Sequence, residues 1–196
     1  MIHILIPTYN RHKYLKSLLN DLSQQHFKEF DVRICSDGFD QVVLDMVIEY
    51  DKKNYQPFHY MHTIQRANDW GLSPRRLLVN SISDEDSYIV FIDDDDVICP
   101  QYLSKLTEGR SQDTISYCNL FMADETVNGE RIIPGREVTE FNYGFISAFC
   151  CLLPIDVVRK CFYKWTEIRD SDFDFVYECS KHKKLKYIPY ILAVAR

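Results

Sequence analysis

The chain has 196 residues, of which 46% are hydrophobic and 14% aromatic, and its formal net charge at pH 7 is -6. This length and apolar content suffice for a single domain with a sizeable core and exclude a disordered chain. Non-specific nucleic-acid binding depends on Lys and Arg neutralising phosphates, so an acidic chain without a long basic tract is a poor candidate for it. We therefore expect one folded domain over residues 1–196 and no nucleic-acid partner.

The first half of the chain alternates short apolar runs with amphipathic segments. Strands are predicted at 2–6, 30–35, 58–64 and 88–92. Helices are predicted at 11–25, with Asn10 as its cap, at 42–50, and from Ser73-Pro74 onward, where a hydroxyl residue caps and Pro takes the first position. This β-α-β-α-β-α-β order predicts an α/β fold with a mainly parallel sheet and helices on both faces. The first run is too short for a signal-peptide core or a membrane span, so no membrane span is expected there.

The second half is less regular. Strands are predicted at 114–122 and 185–195, helices at 155–162 and 172–182, and a hairpin turn at Asn128-Gly129. The stretch 141–153 is aromatic and apolar, so it is expected to be buried or to line a cleft. Trp70, Tyr143, Phe145 and Phe149 are expected to lie in the core rather than to form a ligand platform.

The seven cysteines show no CxxC or mixed His/Cys spacing, so neither a disulfide framework nor a zinc site is expected. Reduced thiols favour a cytoplasmic protein.

Polar residues follow three predicted strands at the points where these strands end. They are Thr8-Tyr9-Asn10 after the first strand, Asp37 after the second, and Asp93 to Asp96 after the fourth. In open parallel sheets, ligands bind at the carboxyl ends of the strands. These three clusters therefore predict one site at one edge of the sheet.

The four adjacent aspartates repel one another and raise each other's pKa unless a cation or hydrogen-bond donors compensate. Alternate residues of an extended segment point to the same side, so Asp93 and Asp95 could converge on one hard cation, Mn²⁺ or Mg²⁺. The alternative is a solvated acidic loop that caps the next helix, but the position after a buried strand favours the cation site.

Other candidates have simple structural alternatives. Asp37 is also a typical turn residue, and Arg75 and Arg76 are by default surface charges. Asp170, Asp172 and Asp174 are by default acids at a helix N-terminus, or else one of them is a general base in a cleft.

Six segments together resemble family 2 glycosyltransferases, which have the GT-A fold. They are 6–11 (IPTYNR), 36–38 (SDG), 71–76 (GLSPRR), 91–96 (FIDDDD), 172–175 (DFDF) and 188–192 (IPYIL). The first segment resembles the family's opening motif, the fourth its DxD motif, and the fifth the element that carries the catalytic base. The resemblance implies a GT-A domain with a nucleotide-binding half at 1–99 and an acceptor-binding half at 100–196.

The resemblance also implies roles for individual residues. Pro7, Thr8, Tyr9, Asn10, Arg11 and Asp37 would bind the nucleotide of a nucleotide-sugar donor, with Asp37 reading the imide edge of uridine or thymidine. Asp93 would contact the ribose with help from Asp94, and Asp95 would ligate the cation together with Asp93. Asp172 would be the base, with Asp170 as a rival because Ser171 replaces the family's Glu. Arg76 is the better match to the family's arginine near the nucleotide, with Arg75 as its neighbour, although Leu77 in place of the family's Asn leaves this register open.

The implied reaction is transfer of a sugar, with inversion, to a hydroxyl of a glycan or other glycoconjugate acceptor. Two alternatives remain, a nucleotidyltransferase of similar fold and a non-catalytic sugar-binding module. The first would need a Gly-rich phosphate loop after the first strand, and residues 7–11 contain no Gly. The family's late histidine would follow Arg196, so cation ligation is expected to rely on Asp95, water and the diphosphate.

Overall fold

The computed structural model describes residues 1–122, 131–139, 141, 146–168 and 171–195. Its strands are β1 Ile2–Thr8, β2 Phe30–Ser36, β3 Phe58–His62, β4 Tyr88–Phe91, β5 Val97–Ile98, β6 Thr114–Met122, β7 Arg131–Ile133, β8 Cys151–Pro154 and β9 Lys184–Ala195. Its α-helices are α1 His12–Ser23, α2 Gln41–Lys53, α3 Leu72–Asn80, α4 Tyr102–Leu106, α5 Ile155–Cys161 and α6 Asp172–Ser180.

The strands form one sheet in the order β3-β2-β1-β4-β8-β6-β9-β5, with β7 paired to β6. Strands β3, β2, β1 and β4 pair in parallel with one another, which confirms the predicted α/β fold class. The second half of the sheet is mixed, because β8 runs antiparallel to both β4 and β6 whereas β9 runs parallel to β6.

The core forms where the sequence is most apolar. All seven residues of β1 and all four of β4 are buried, as expected for central strands covered on both faces. Helix α1 buries Leu15, Leu18, Leu19 and Leu22, whose spacing gives one continuous apolar stripe. The sheet centre and its carboxyl-end loops therefore rest on a rigid base.

Two predicted helix starts are wrong in detail. Arg11, not Asn10, occupies the cap of α1, and Asn10 adopts a left-handed backbone with φ of 53°. Helix α3 begins at Leu72, so Pro74 is its third residue, and the Asp69 carboxylate accepts bonds from the amide and hydroxyl of Ser73. A loop side chain, Asp69, thus caps the start of α3, whereas no side-chain bond caps α1.

The remaining predicted helices and strands are present in the structure, which also contains short elements that the sequence did not predict. Strands β5, β7 and β8 and helix α4 have two to five residues, too few to show a period in the sequence. The predicted turn at Asn128-Gly129 lies outside the described residues. All seven cysteines are unpaired, as expected. Among the described helices, none has the length and apolar character needed to cross a membrane.

Candidate active site

The three predicted polar clusters meet at one edge of the sheet. Strands β1, β2 and β4 are parallel neighbours, and Thr8 lies in register with Ser36 while Leu5 lies in register with Phe91. The residues that follow these strands are thereby brought together. The Thr8 hydroxyl donates to Asp94 Oδ2 at 2.6 Å, which joins the first cluster to the third.

The positive charge of Arg11 partly neutralises the acidic cluster. Arg11 Nη1 lies 2.6 Å from Asp95 Oδ2 and 3.2 Å from Asp94 Oδ1. Asp94 is buried, and this burial raises its pKa, opposed by the bonds from Thr8 and Arg11. Arg11 thus offsets two of the four carboxylates in the protein alone.

Asp96 differs from the other three aspartates in lining neither of the two cavities described below. It is buried, and its Oδ2 accepts a 3.1 Å bond from the backbone amide of Asp93. Burial, followed by the charge of Asp93, raises the pKa of Asp96 well above its usual value. Its role is to close the turn that presents the other three carboxylates.

Arg75, not Arg76, occupies the site. Arg75 is only 6% exposed, its Nη1 donates to the Trp70 carbonyl at 2.7 Å, and its Nη2 pairs with Asp93. A Cβ on Gly71 would lie 2.6 Å from Arg75 Nη1, so glycine is needed at that position, where φ is also +79°. Arg76 is exposed and lines neither cavity described below. Of the two predicted arginines, the structure thus brings Arg75 and not Arg76 to the cavities.

Asp37 holds the loop that faces the acidic cluster. Its Oδ1 accepts bonds from the amide of Ala67 at 2.7 Å and the hydroxyl of Thr63 at 3.1 Å, and its Oδ2 accepts from the amide of Asn68 at 3.0 Å. Sequence reasoning missed this role, because the partners lie 26 to 31 residues away along the chain.

Two adjoining cavities open at this edge. The first has a volume of about 400 Å³ and is lined only by residues between Pro7 and Asp94, including Thr8, Tyr9 and Asp37. The second has about 490 Å³ and takes residues from both halves of the chain. The two share a wall formed by Arg11, Trp70, Arg75 and Asp93.

The first cavity contains most of the predicted nucleotide-binding residues. Tyr9 is exposed at its rim, and the Arg66 guanidinium lies 4.0 Å from the centroid of the Tyr9 ring. Asn10 lines neither of the two cavities, so the structure does not bring it to the site with its neighbours. Arg66 was not predicted, and no local motif marks it.

Asp172 lines the second cavity but not the first. It is the first residue of α6, and its Oδ2 accepts bonds from the Ser147 hydroxyl at 2.9 Å and the Ala148 amide at 3.3 Å. Burial raises its pKa, and the charge of Asp93 adds to the effect. Asp174 is exposed, and Asp170 lies outside the described residues.

Trp70 is not a core residue, contrary to the sequence-based expectation. Its side chain is 70% exposed and lines both cavities. Phe149 is buried as expected, whereas Tyr143 and Phe145 lie outside the described residues.

A family model, Glycosyl transferase family 2, matches residues 3–162. The chain belongs to glycosyl transferase family 2. Poly(ribitol-phosphate) beta-N-acetylglucosaminyltransferase TarS of Staphylococcus aureus is 25% identical over 179 residues, covering 88% of this chain and 29% of TarS. Abequosyltransferase RfbV of Salmonella typhimurium is 34% identical over 84 residues, covering 42% of this chain and 24% of RfbV. The matched regions thus span less than a third of the length of either relative.

Solved structures agree with this family membership at the level of the fold. The crystal structure of S. aureus TarS 1-349 superposes with a TM-score of 0.74 at 19% identity, over 99% of this chain and 60% of that one. The mannosyltransferase PcManGT from Pyrobaculum calidifontis gives a TM-score of 0.69 at 11% identity, over 99% and 56%. These likenesses confirm the GT-A architecture.

The carboxylates of this family 2 domain suit a hard cation by donor type, but they do not form a complete site by themselves. Asp93 and Asp95 both line the second cavity, and each is paired with a guanidinium. Within the part of the chain that the structure describes, no group of three or more His, Cys, Asp or Glu side chains is arranged to hold a metal. Any cation here would need further oxygen ligands from water and from a substrate phosphate.

Proposed function

We propose that this domain transfers a sugar from a nucleoside-diphosphate sugar to a hydroxyl group of a glycan or glycoconjugate acceptor. The observation that carries the proposal is the meeting of the two cavities at Asp93 and Arg75, with Asp37 in the first cavity and Asp172 in the second. A transferase of this kind needs a donor site and an acceptor site that share one wall, where the sugar changes partner.

The first cavity would hold the nucleotide. An ionised carboxylate has about four acceptor sites, and Asp37 uses three of them within the protein, which leaves one for the imide N–H of uracil or thymine. This is in keeping with the UDP- or dTDP-type donor that the resemblance of residues 36–38 to the family's second-strand motif favours. A similar fold is found in S. aureus TarS 1-349 in complex with UDP-GlcNAc, which supports the same class of donor. Arg75 would face the diphosphate as a fixed positive charge, with the more exposed Arg11 beside it.

A divalent cation, Mn²⁺ or Mg²⁺, would be held by Asp95 with help from Asp93. When bound, it would neutralise charge that develops on the departing diphosphate. Arg11 occupies the same Asp95 oxygen in the protein alone, so ligation of a cation would release this guanidinium. The PcManGT structure is a complex with GDP-Man and Mn²⁺, in keeping with a cation in a domain of this fold.

Asp172 would act as the general base. Its bonds from Ser147 and Ala148 both fall on Oδ2 and fix the orientation of the carboxyl group. The raised pKa of Asp172 brings its basicity closer to that needed to accept a proton near neutral pH. It would remove the proton of the acceptor hydroxyl as that oxygen attacks the anomeric carbon opposite the diphosphate, giving inversion in one displacement.

This assignment divides the chain as its sequence suggests, with nucleotide binding in residues 1–99 and acceptor binding mainly in 100–196. A cytoplasmic location remains a prediction. The competing functions differ in measurable products, because a nucleotidyltransferase releases pyrophosphate and a binding module releases nothing.

The test is a thermal-shift screen of nucleotide sugars with and without Mn²⁺, followed by donor hydrolysis assays. A ligand that binds only the folded state raises the melting temperature. We expect one UDP- or dTDP-sugar to stabilise the domain more strongly with Mn²⁺ and to be hydrolysed slowly to the nucleoside diphosphate. Stabilisation without any sugar release, even with a range of acceptors, would identify a binding module and refute the proposal.

A further inference from the structure

Trp70 occupies a position that neither burial nor backbone preference explains. Its side chain is 70% exposed, and its φ is +55°. The left-handed conformation costs a bulky residue about 1–2 kcal/mol. An exposed tryptophan in a disfavoured backbone conformation therefore suggests a ligand that compensates for both.

The backbone on each side of Trp70 is fixed by hydrogen bonds. Before it, the Asp37 carboxylate accepts bonds from the amides of Ala67 and Asn68. At Trp70 itself, the carbonyl accepts a bond from Arg75. The indole is thus presented from a rigid loop, and a ligand that contacts it would lose little affinity to ordering of this loop.

The indole lies where the transferred sugar would have to be. Asp37, at the nucleotide end, lines the first cavity and not the second, whereas Asp172 lines the second and not the first. A sugar bonded to the diphosphate and open to attack from the side of Asp172 must lie at the wall that the cavities share. Trp70 is the one aromatic residue of that wall among the described residues.

We propose that the indole of Trp70 stacks on the transferred sugar of the donor and so contributes to the choice of sugar. A pyranose ring presents a face of C–H groups, and the negative π-face of an aromatic ring attracts such weakly positive edges. The inference rests on the proposed function, because it assumes that a nucleotide sugar occupies the first cavity.

The test compares each variant's affinity for the nucleotide sugar that the screen selects with its affinity for the corresponding nucleoside diphosphate. Asn tolerates the left-handed conformation, so Trp70→Asn should fold with an equal or higher melting temperature. By the magnitude of aromatic contacts, it should bind the nucleotide sugar about fivefold to tenfold more weakly and the nucleoside diphosphate nearly as well as the wild type. Trp70→Tyr should restore most of the affinity.

The control is Tyr163→Ala, which removes an aromatic side chain that is 67% exposed and lies outside both cavities. It should change neither affinity. The chain has two tryptophans, and Trp165 lines the second cavity. The part of the indole quenching by the nucleotide sugar that is lost in Trp70→Tyr should therefore report on Trp70.

Two results would overturn the inference while leaving the proposed function intact. One is an equal loss of affinity for the nucleotide sugar and for the nucleoside diphosphate. The other is unchanged donor affinity with a raised acceptor KM, which would make Trp70 an acceptor platform. If the wild-type protein bound no nucleotide sugar at all, the proposed function would fail and the inference with it.

Discussion

Arg75 and Arg76 are adjacent arginines with opposite environments, and replacing each by Ala is a matched test of the site. Arg75 is buried and bonded to the Trp70 carbonyl, whereas Arg76 is exposed on the outer face of α3. We expect Arg75→Ala to destabilise the fold and weaken donor binding, and Arg76→Ala to do neither.

The magnitude follows from the contacts of Arg75. Loss of its charged hydrogen bond to Trp70 should cost about 1.5–3 kcal/mol. Its guanidinium carbon lies 4.9 Å from the Trp165 ring centroid, a contact worth about 1 kcal/mol. The ion pair with Asp93 adds about 0–1 kcal/mol, because the Asp93 side chain is 53% exposed and solvent screens the pair. Together these give a loss of about 2.5–5 kcal/mol.

Urea unfolding measures this loss of stability as a lower midpoint concentration, with an unchanged dependence of the unfolding free energy on urea concentration. Arg76→Ala should stay within about 0.5 kcal/mol of the wild type, as surface substitutions usually do. Nucleoside-diphosphate affinity, measured by calorimetry, should fall only in Arg75→Ala. Equal effects of the two substitutions, or a larger effect of Arg76→Ala, would refute the placement of Arg75 in the site.

Three further predictions concern the base, the cation and the fold. Asp172→Asn should retain donor affinity and lose transfer. In the wild type, kcat should rise with pH, with a midpoint above the usual pKa of Asp, because burial raises the pKa of Asp172 and only the ionised form accepts a proton. Ordinary turnover by Asp172→Asn would exclude it as the base. Mn²⁺ affinity should fall in Asp95→Asn and rise in Arg11→Gln, since Arg11 competes for an Asp95 oxygen 2.6 Å away. Electron paramagnetic resonance without nucleotide measures this affinity, and weaker binding by Arg11→Gln would contradict the competition. Asp31→Asn should destabilise the fold by about 3–5 kcal/mol, the usual result of breaking a buried charged network, because Asp31 accepts bonds from His3 at 2.6 Å and Arg33 at 3.0 Å.

The Asp31 prediction also has a defined pH dependence. Burial opposes ionisation of Asp31, but the bonds from His3 and Arg33 outweigh it and hold its pKa below the usual value. A carboxyl with a lowered folded-state pKa stabilises the fold above its unfolded pKa of about 3.9. This contribution is lost as the pH falls through the folded-state pKa, so the stability difference between wild type and Asp31→Asn should narrow below about pH 4.

Local sequence was sufficient to predict the sheet edge that carries the site. The apolar runs of β2 and β4 are followed by Gly38 and the aspartates, which are strong local signals for strand ends, and β1 ends at Thr8, one residue after Pro7. Parallel pairing then brings Thr8, Asp37 and Asp94 to one edge regardless of the rest of the chain. The family resemblance could be read from the same segments, because the residues that mark strand ends are also those of its motifs.

The register of the arginines could have been predicted from helix geometry. Helix α3 buries Leu78 and Val79, which lie three and four residues after Arg75 and so share its face, whereas Arg76 is only two residues from Leu78. Arg75 is on the apolar face of this helix and Arg76 is beside it. Comparison with the family motif alone favoured Arg76, because Leu77 breaks the motif just where the alignment depends on it.

The position of Trp70 could not have been predicted locally. Its left-handed backbone lies in a loop held by Asp37, whose bond to the Asn68 amide spans 31 residues, and by a side chain of the helix that follows. Tryptophan is by default a largely buried residue, and only the fixed loop turns this one outward. Long-range bonds of this kind leave no periodic pattern in the sequence.

These bonds also connect the ends of the site to one another. Asp37 holds the amides of Ala67 and Asn68, the same loop presents Trp70, and the Trp70 carbonyl holds Arg75, which pairs with Asp93. A change at Asp37 would therefore affect the first cavity, the indole and the acidic cluster together. Weaker donor binding by Asp37→Asn could not by itself be assigned to a lost contact with the base. The comparison of nucleotide sugar with nucleoside diphosphate separates the effects, because loss of the base contact weakens both ligands equally and displacement of Trp70 weakens only the one that carries a sugar.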